Sequence, residues 1–237
     1  MRVIRGHSSL GRIPLFQGVE PAEIEILEQR CVLRHYDAGE EILGYLDGGD
    51  DVYFIVSGKA KVIIYSSLGK VVGFRDLVPG DMFGEYAAID GGTRSASIEA
   101  EADSLVAVVP SGEFRGIVAR EPSVAMALLQ HLTKQLRALT KRVFEFSTLA
   151  VNNRIQAELL RLAKEVVPAS DVGSNSARIS PSPTHVEIAA RISTHREAVT
   201  RQFSQLSKDG IIAREGRELI VLDVARLEKM VGDASGE

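Results

Sequence analysis

The sequence predicts an α+β chain built from an N-terminal antiparallel β-roll, one long helix and a C-terminal winged helix-turn-helix. Three observations lead there: short strand-like runs up to Val109, a heptad seam after Pro122, and helix starts at Thr184 and Thr194 followed by a glycine hairpin.

Composition sets the frame for these elements. A chain of 237 residues, 45% hydrophobic and 25% charged, can bury one large core or two ordinary ones. No run approaches the roughly 18 apolar residues of a membrane span, and MRVIRGHSSLGRIP lacks the apolar middle of a signal peptide, so a cytoplasmic protein with no membrane partner is expected. The single cysteine, Cys31, excludes an internal disulfide and any Cys-based zinc or iron-sulfur cluster within one chain, and no metal site is expected. The net charge of −4 is uneven: residues 1–119 are acidic, 120–150 basic and 151–237 balanced. A nucleic-acid reading therefore rests on local placement of charge.

Taken in order, "DVYFIVSGKAKVIIY" (Asp51 to Tyr65) reads as apolar-polar alternation around Ser57-Gly58. "GKVVGFRDLVPGD" carries its own Gly and Pro punctuation, and "SLVAVVP" ends on a strand-breaking proline. Short strands at this spacing predict a compact antiparallel barrel or roll. After Pro122 the period changes, with Leu129, Leu132, Leu136, Leu139, Val143 and Phe146 recurring at steps of three and four. Such a seam is expected to pair with a second copy, the alternative being a long core helix packed on its own domain, and it leaves Gln130, Lys134, Gln135, Lys141 and Arg142 as an outer polar face. A further helix, "NNRIQAELLRLAKEVV", precedes the Pro, Ser and Gly-rich loop "PASDVGSNSARISPSP", and Asn152-Asn153 are the expected hinge. Thr184 with Glu187 and Thr194 with Glu197 each have capping-box spacing, and a Gly216 hairpin follows the second helix. At about 100° per residue, that helix turns Glu197, Thr200, Arg201, Ser204 and Lys208 to one side. Val199, Gln202, Phe203 and Leu206 fall on the other. A second helix of a helix-turn-helix presents such a polar face to a major groove.

The stretch "FGEYAAIDGGTRSAS" (Phe83 to Ser97) sets one carboxylate and one guanidinium nine positions apart among small residues. A cyclic nucleotide offers one anionic phosphodiester beside a ribose 2′-hydroxyl. Arg94 suits the first with a charge-assisted fork, Ser95 adds a hydroxyl and an N–H, and Glu85 suits the second as an acceptor. Gly84, Gly91 and Gly92 let backbone approach a ligand.

The order of parts and this stretch together resemble the CRP/FNR family of bacterial transcription regulators, in its catabolite-activator branch. "FGEYAAIDGGTRSAS" is similar to the phosphate-binding cassette of cyclic-nucleotide-binding domains, and Arg196, Glu197 and Arg201 match that branch's recognition helix. The resemblance implies residues 1–120 as a cyclic-nucleotide-binding β-roll domain, 121–150 as a dimerisation helix and 151–237 as a winged helix-turn-helix DNA-binding domain. The candidate ligand residues are Gly84, Glu85, Tyr86, Arg94, Ser95 and, from the long helix, Thr140. Thr140 and Leu139 stand where the branch carries a Thr-Ser pair against the base. The candidate DNA contacts are His195, Arg196, Glu197, Thr200 and Arg201, with Arg able to pair with guanine and Glu with cytosine. The function implied is a homodimeric regulator on palindromic double-stranded DNA, with cAMP as effector and RNA polymerase as a partner. Two alternatives stay open: the same fold answering cGMP or another effector, and a ligand-sensing module without DNA binding. With no nucleophile-base pair, HExxH, P-loop or paired carboxylates, an enzyme is not expected.

Overall fold

The computed structural model describes residues 2–4, 10–65, 71–166 and 175–236. It divides into two compact units, Met1–Leu136 and Arg137–Glu237.

The first unit is a β-roll of two antiparallel sheets. One holds β1 (Arg2–Ile4), β2 (Val32–Tyr36), β4 (Val52–Ser57), β7 (Met82–Phe83) and β9 (Ser104–Val109) in the order β1-β2-β9-β4-β7. The other holds β3 (Glu41–Leu43), β5 (Ala60–Tyr65), β6 (Val71–Leu77) and β8 (Ser97–Ala100) in the order β3-β8-β5-β6. Four helices accompany them: α1 (Pro21–Arg30), α2 (Glu85–Asp90), α3 (Ser111–Arg120) and the start of α4 (Pro122–Thr148).

Strand β4 shows why two cores exist. Val52 and Phe54 point into a cluster with Phe16, Phe114, Ile117 and Val124, while Tyr53 and Ile55 point into another with Tyr36, Leu77 and Ile98. The expected alternation of buried and exposed residues fails here, because one face of β4 meets the second sheet and the other meets helices. A strand covered on both sides reads as a continuous apolar run. Phe16 and Phe54 meet with ring centroids 5.3 Å apart at 50°, and burying each such ring is worth about 1.5 to 3 kcal/mol.

Helix α4 opens with Pro122 in its first turn, where the missing N–H costs nothing. Its first turns bury Val124 and Leu128 in the helix-side core, with Leu132 half-buried against it. Of the expected seam residues, Leu129, Leu136, Leu139, Val143 and Phe146 are exposed, whereas Leu132 packs against the core of its own unit.

The second unit contains the end of α4, α5 (Val151–Val166), β10 (Ala177–Ile179), α6 (His185–Arg191), α7 (Arg196–Lys208), β11 (Ile212–Glu215), β12 (Glu218–Val221) and α8 (Val224–Ser235). Its sheet runs β10-β12-β11, and its core joins Ile155 and Leu159 of α5 to Ile188, Val199, Phe203, Leu206, Val221 and Leu227. Helix, turn, helix and hairpin follow as the sequence predicts, with Gly216 at φ +57° in the hairpin. Of the Pro, Ser and Gly-rich loop, residues 168–174 lie outside the described residues, and Ala177–Ile179 form a strand against β12 instead of loop.

Three expectations need correction. The Thr184–Glu187 capping box forms, but the Thr194–Glu197 box does not: α7 begins at Arg196 with His195 as an N-cap that makes no side-chain bond. Ser193, at φ +52°, turns the chain so that the helix starts one residue late, and Glu197 falls one position short of the reciprocal bond. Asn152 and Asn153 lie in the first turn of α5; the break after α4 is at Leu149–Ala150. Arg142 is not on a solvated face. Its guanidinium lies 3.6 Å from Glu158, which is 1% exposed and also meets Arg161 and, at 3.6 Å, Arg191. Arg161 in turn holds Glu145 at 3.0 Å.

Candidate functional site

The cassette lies on three consecutive pieces of the first unit: strand β7, the short helix α2, and the segment entering β8. Gly84 adopts φ +80° between the first two, and a Cβ there would stand 2.7 Å from Arg94 Nη1 and 3.1 Å from the Asp51 carbonyl. Only glycine fits both the left-handed backbone and the close approach.

Arg94 is 3% exposed. Its Nη1 donates to the Gly84 carbonyl at 2.8 Å and its Nη2 to the Asp51 carbonyl at 3.0 Å, with the guanidinium 5.5 Å from the Tyr53 ring centroid. Among the described residues its Nε is buried without a hydrogen-bond partner, and Ser95, next in the chain, is exposed. The loop leading to β4 is pinned to the same residue, because Leu46 N donates to the Arg94 carbonyl and Arg94 N to the Asp47 carbonyl.

Glu85, 4% exposed, begins α2. Its Oε1 accepts from Gln135 Nε2 at 3.1 Å and lies 3.7 Å from His131 Nε2, both on α4. Gln135 Nε2 also meets His131 Nε2 at 2.6 Å, and Gln135 Oε1 accepts from the Tyr86 hydroxyl at 2.8 Å. Partial burial and the Glu85 charge push the Tyr86 phenol above its ordinary range. The amide of Gln135 thus orients the carboxylate from the long helix, and Oε2 accepts no hydrogen bond among the described residues. The heptad pattern alone puts Gln135 on an outer polar face. The signal that could have found it is the His131–Gln135 spacing of four, which puts both on one edge of α4.

The structure brings Gly84, Glu85, Tyr86, Arg94 and Ser95 together. Thr140 lies five residues beyond Gln135 on α4, in the second unit. A cleft of about 530 Å³ between Phe16–Val19 and α1 lies apart from this cluster, with Glu25 and Glu28 as the ionisable groups in its lining.

In the second unit His195, Arg196, Glu197, Thr200 and Arg201 are all exposed along one side of α7, while Val199, Gln202, Phe203 and Leu206 are buried on the other. Among the described residues, Glu197 makes neither a cap nor an ion pair with Arg201. Its carboxylate and the guanidiniums of Arg196 and Arg201 project from a rigid helix whose far face is core. Thr200 is different: its hydroxyl donates to the Arg196 carbonyl at 3.0 Å and pairs with His185 Nδ1 at 2.8 Å.

Comparison with known proteins matches both halves. The family model of the cyclic nucleotide-binding domain covers residues 33–121, and that of the Crp-like helix-turn-helix domain covers residues 153–230. The chain is 27% identical over 220 residues to the CRP-like cAMP-activated global transcriptional regulator of Mycobacterium tuberculosis, covering 93% of this chain and 97% of that protein. It is 28% identical to the cyclic AMP receptor protein of Thermus thermophilus, over 92% of this chain and 96% of the relative. Among solved structures, a CRP/FNR-family transcriptional regulator from Thermus thermophilus superposes with a TM-score of 0.66 at 25% identity, covering 84% of this chain and 96% of that one. FixK2 from Bradyrhizobium japonicum shares the fold, with a TM-score of 0.72 at 22% identity over 84% of this chain and 96% of that one.

Proposed function

The chain belongs to the CRP/FNR family of transcription regulators, and from that premise we propose that it is a homodimer which binds cyclic AMP and then a palindromic DNA site. The observation that carries the reading is the buried Arg94 guanidinium, in one cassette with a buried Glu85, where among the described residues Arg94 Nε has no partner and Glu85 is engaged through Oε1 alone.

The ligand phosphodiester takes the Arg94 Nε and the Ser95 hydroxyl, and the ribose 2′-hydroxyl donates to Glu85 Oε2. Through Gln135, occupancy of Glu85 is felt on the long helix. Two copies of α4 bury Leu129, Leu136, Leu139, Val143 and Phe146 against each other, and Thr140 reaches the base across that seam. The preference for cyclic AMP follows the relatives described as cAMP-activated or as a cyclic AMP receptor, and cyclic GMP is the competitor to test. To pass from mostly off to mostly on, ligand must favour the active arrangement by about 5.5 kcal/mol across its sites. On DNA, Arg196 and Arg201 read guanines and Glu197 accepts from a cytosine N4 between them. Such a regulator works in the cytoplasm beside RNA polymerase.

The test is selection of binding sites from random duplex DNA with cyclic AMP, with cyclic GMP and with neither. A palindrome with half-sites about one helical turn apart, enriched with cyclic AMP, is the expected result. Equal enrichment without nucleotide would overturn the effector reading, and no enrichment at all would leave a sensing module without DNA binding.

A further inference from the structure

His185, the first residue of α6, lies outside the cassette and outside the row of candidate DNA contacts, yet its ring is held in one pose. Thr200 spends its hydroxyl proton on the Arg196 carbonyl, so its oxygen accepts from His185 Nδ1–H. The ring lies on Phe203 with centroids 4.8 Å apart at 57°. With Nδ1 protonated, neutral His185 presents a bare lone pair at Nε2, which has no partner among the described residues.

The surroundings of that nitrogen are cationic. Arg214 of β11 lines a cleft of about 160 Å³ with His185, Phe203 and Ser207, the neutral Thr200 holds Nδ1, and the charge of Arg196 on α7 adds to that of Arg214 at the ring. On its own helix, Glu187 is engaged at the Thr184 backbone. Neither Arg196 nor Arg214 has a carboxylate partner among the described residues; Arg214 donates only to the Ser182 hydroxyl, at 3.2 Å. His185, Arg196 and Arg214 thus come from three elements and none of them is paired with a carboxylate among the described residues, while Glu197 is the acid beside Arg196 on the exposed side of α7.

We propose that His185 is a contact to a DNA backbone phosphate and that it takes up a proton when DNA binds, so that DNA affinity is coupled to pH through this one ring. A phosphate oxygen repels the lone pair of neutral Nε2 and accepts from the protonated form, so it selects the imidazolium. In the free protein the balance runs the other way: partial burial first, then the charges of Arg214 and Arg196, hold His185 below the ordinary histidine range. The bound group therefore has the higher pKa. The added affinity is complete below the free pKa and is lost as pH rises through the bound one.

This inference rests on the DNA-binding reading, and a mixed-sequence duplex with saturating cyclic AMP tests it without an operator, since phosphate contacts carry no sequence information. The full chain is titrated at fixed ionic strength between about pH 5.5 and 8. Wild type should lose affinity as pH rises, by up to about tenfold per site for each unit separating the two pKa values. His185→Asn, whose amide can still donate to Thr200, should bind without that pH dependence at the high-pH level of wild type. His185→Arg should bind as wild type does at low pH, throughout. His195 remains in all three proteins, so the differences isolate His185. The slope of log affinity against log salt should steepen by about 0.9 per site at low pH in wild type alone. Equal pH dependence in wild type and His185→Asn, or a flat wild type, overturns the proposal. A chain that binds no duplex at any pH, even at low salt and with saturating cyclic AMP, overturns the DNA reading and the proposal with it.

Discussion

Replacing Glu158 by Gln should cost the second unit about 3 kcal/mol. The carboxylate is 1% exposed and faces three guanidiniums: Arg161 one turn along α5, Arg142 from the end of α4 and Arg191 from the end of α6. Glu145 is the remaining carboxylate, paired with Arg161. The substitution leaves three positive charges sharing one negative charge in a largely dry space. Breaking a buried pair costs roughly 3 to 5 kcal/mol, and the lower end applies because Arg161 keeps Glu145 and is about one-third exposed. For a unit of this size each kcal/mol moves the midpoint about 4 to 8 °C, so its melting should fall by roughly 12 to 24 °C. The chain has no tryptophan, so circular dichroism is the probe, with amide exchange to place the loss in α5 and α6. Glu228→Gln breaks the exposed pair with Lys164 and should change stability by less than about 1 kcal/mol. If Glu158→Gln behaves like Glu228→Gln, the cluster contributes no net stability and the reasoning fails.

Two further outcomes follow from the helices. Leu136→Glu with Leu139→Glu places four carboxylates in the seam of a dimer and should give monomers in sedimentation at micromolar concentration; a surviving dimer would show association through another surface. Since Glu197 makes no capping bond in α7, Glu197→Ala should relax discrimination at one G·C pair by roughly 1 to 3 kcal/mol and leave the salt slope unchanged. Binding sites selected by the variant that match those of wild type would end the base-contact reading.

What could be read in the sequence was what repeats or sits close together. The heptads of α4, the core face and the polar face of α7 and the contiguous FGE and RSA of the cassette all depend on neighbours within a few turns. What could not be read depends on partners far apart. Gln135 looks like a solvated residue beside a seam until Glu85, fifty positions earlier, accepts its amide. Glu158 sits in "NNRIQAELLRLAKEVV" as an ordinary amphipathic charge, and its guanidinium partners come from three different helices. Thr194 has capping-box spacing, but the box depends on backbone angles at Ser193 that composition does not dictate. In β4, burial on both faces removes the alternation by which a half-buried strand is recognised.

The central claim is that Arg94 and Glu85 hold a cyclic nucleotide, and calorimetric titration with cyclic AMP tests it most directly. Wild type should bind, with cyclic GMP weaker. Arg94→Lys keeps the charge but loses the fork that spans the Gly84 and Asp51 carbonyls and the unpartnered Nε, so its affinity should fall by about a hundredfold or more, the equivalent of roughly 3 kcal/mol. Circular dichroism checks that the variant remains folded. Unchanged affinity in folded Arg94→Lys, or no heat from cyclic AMP or cyclic GMP with wild type, would contradict the account.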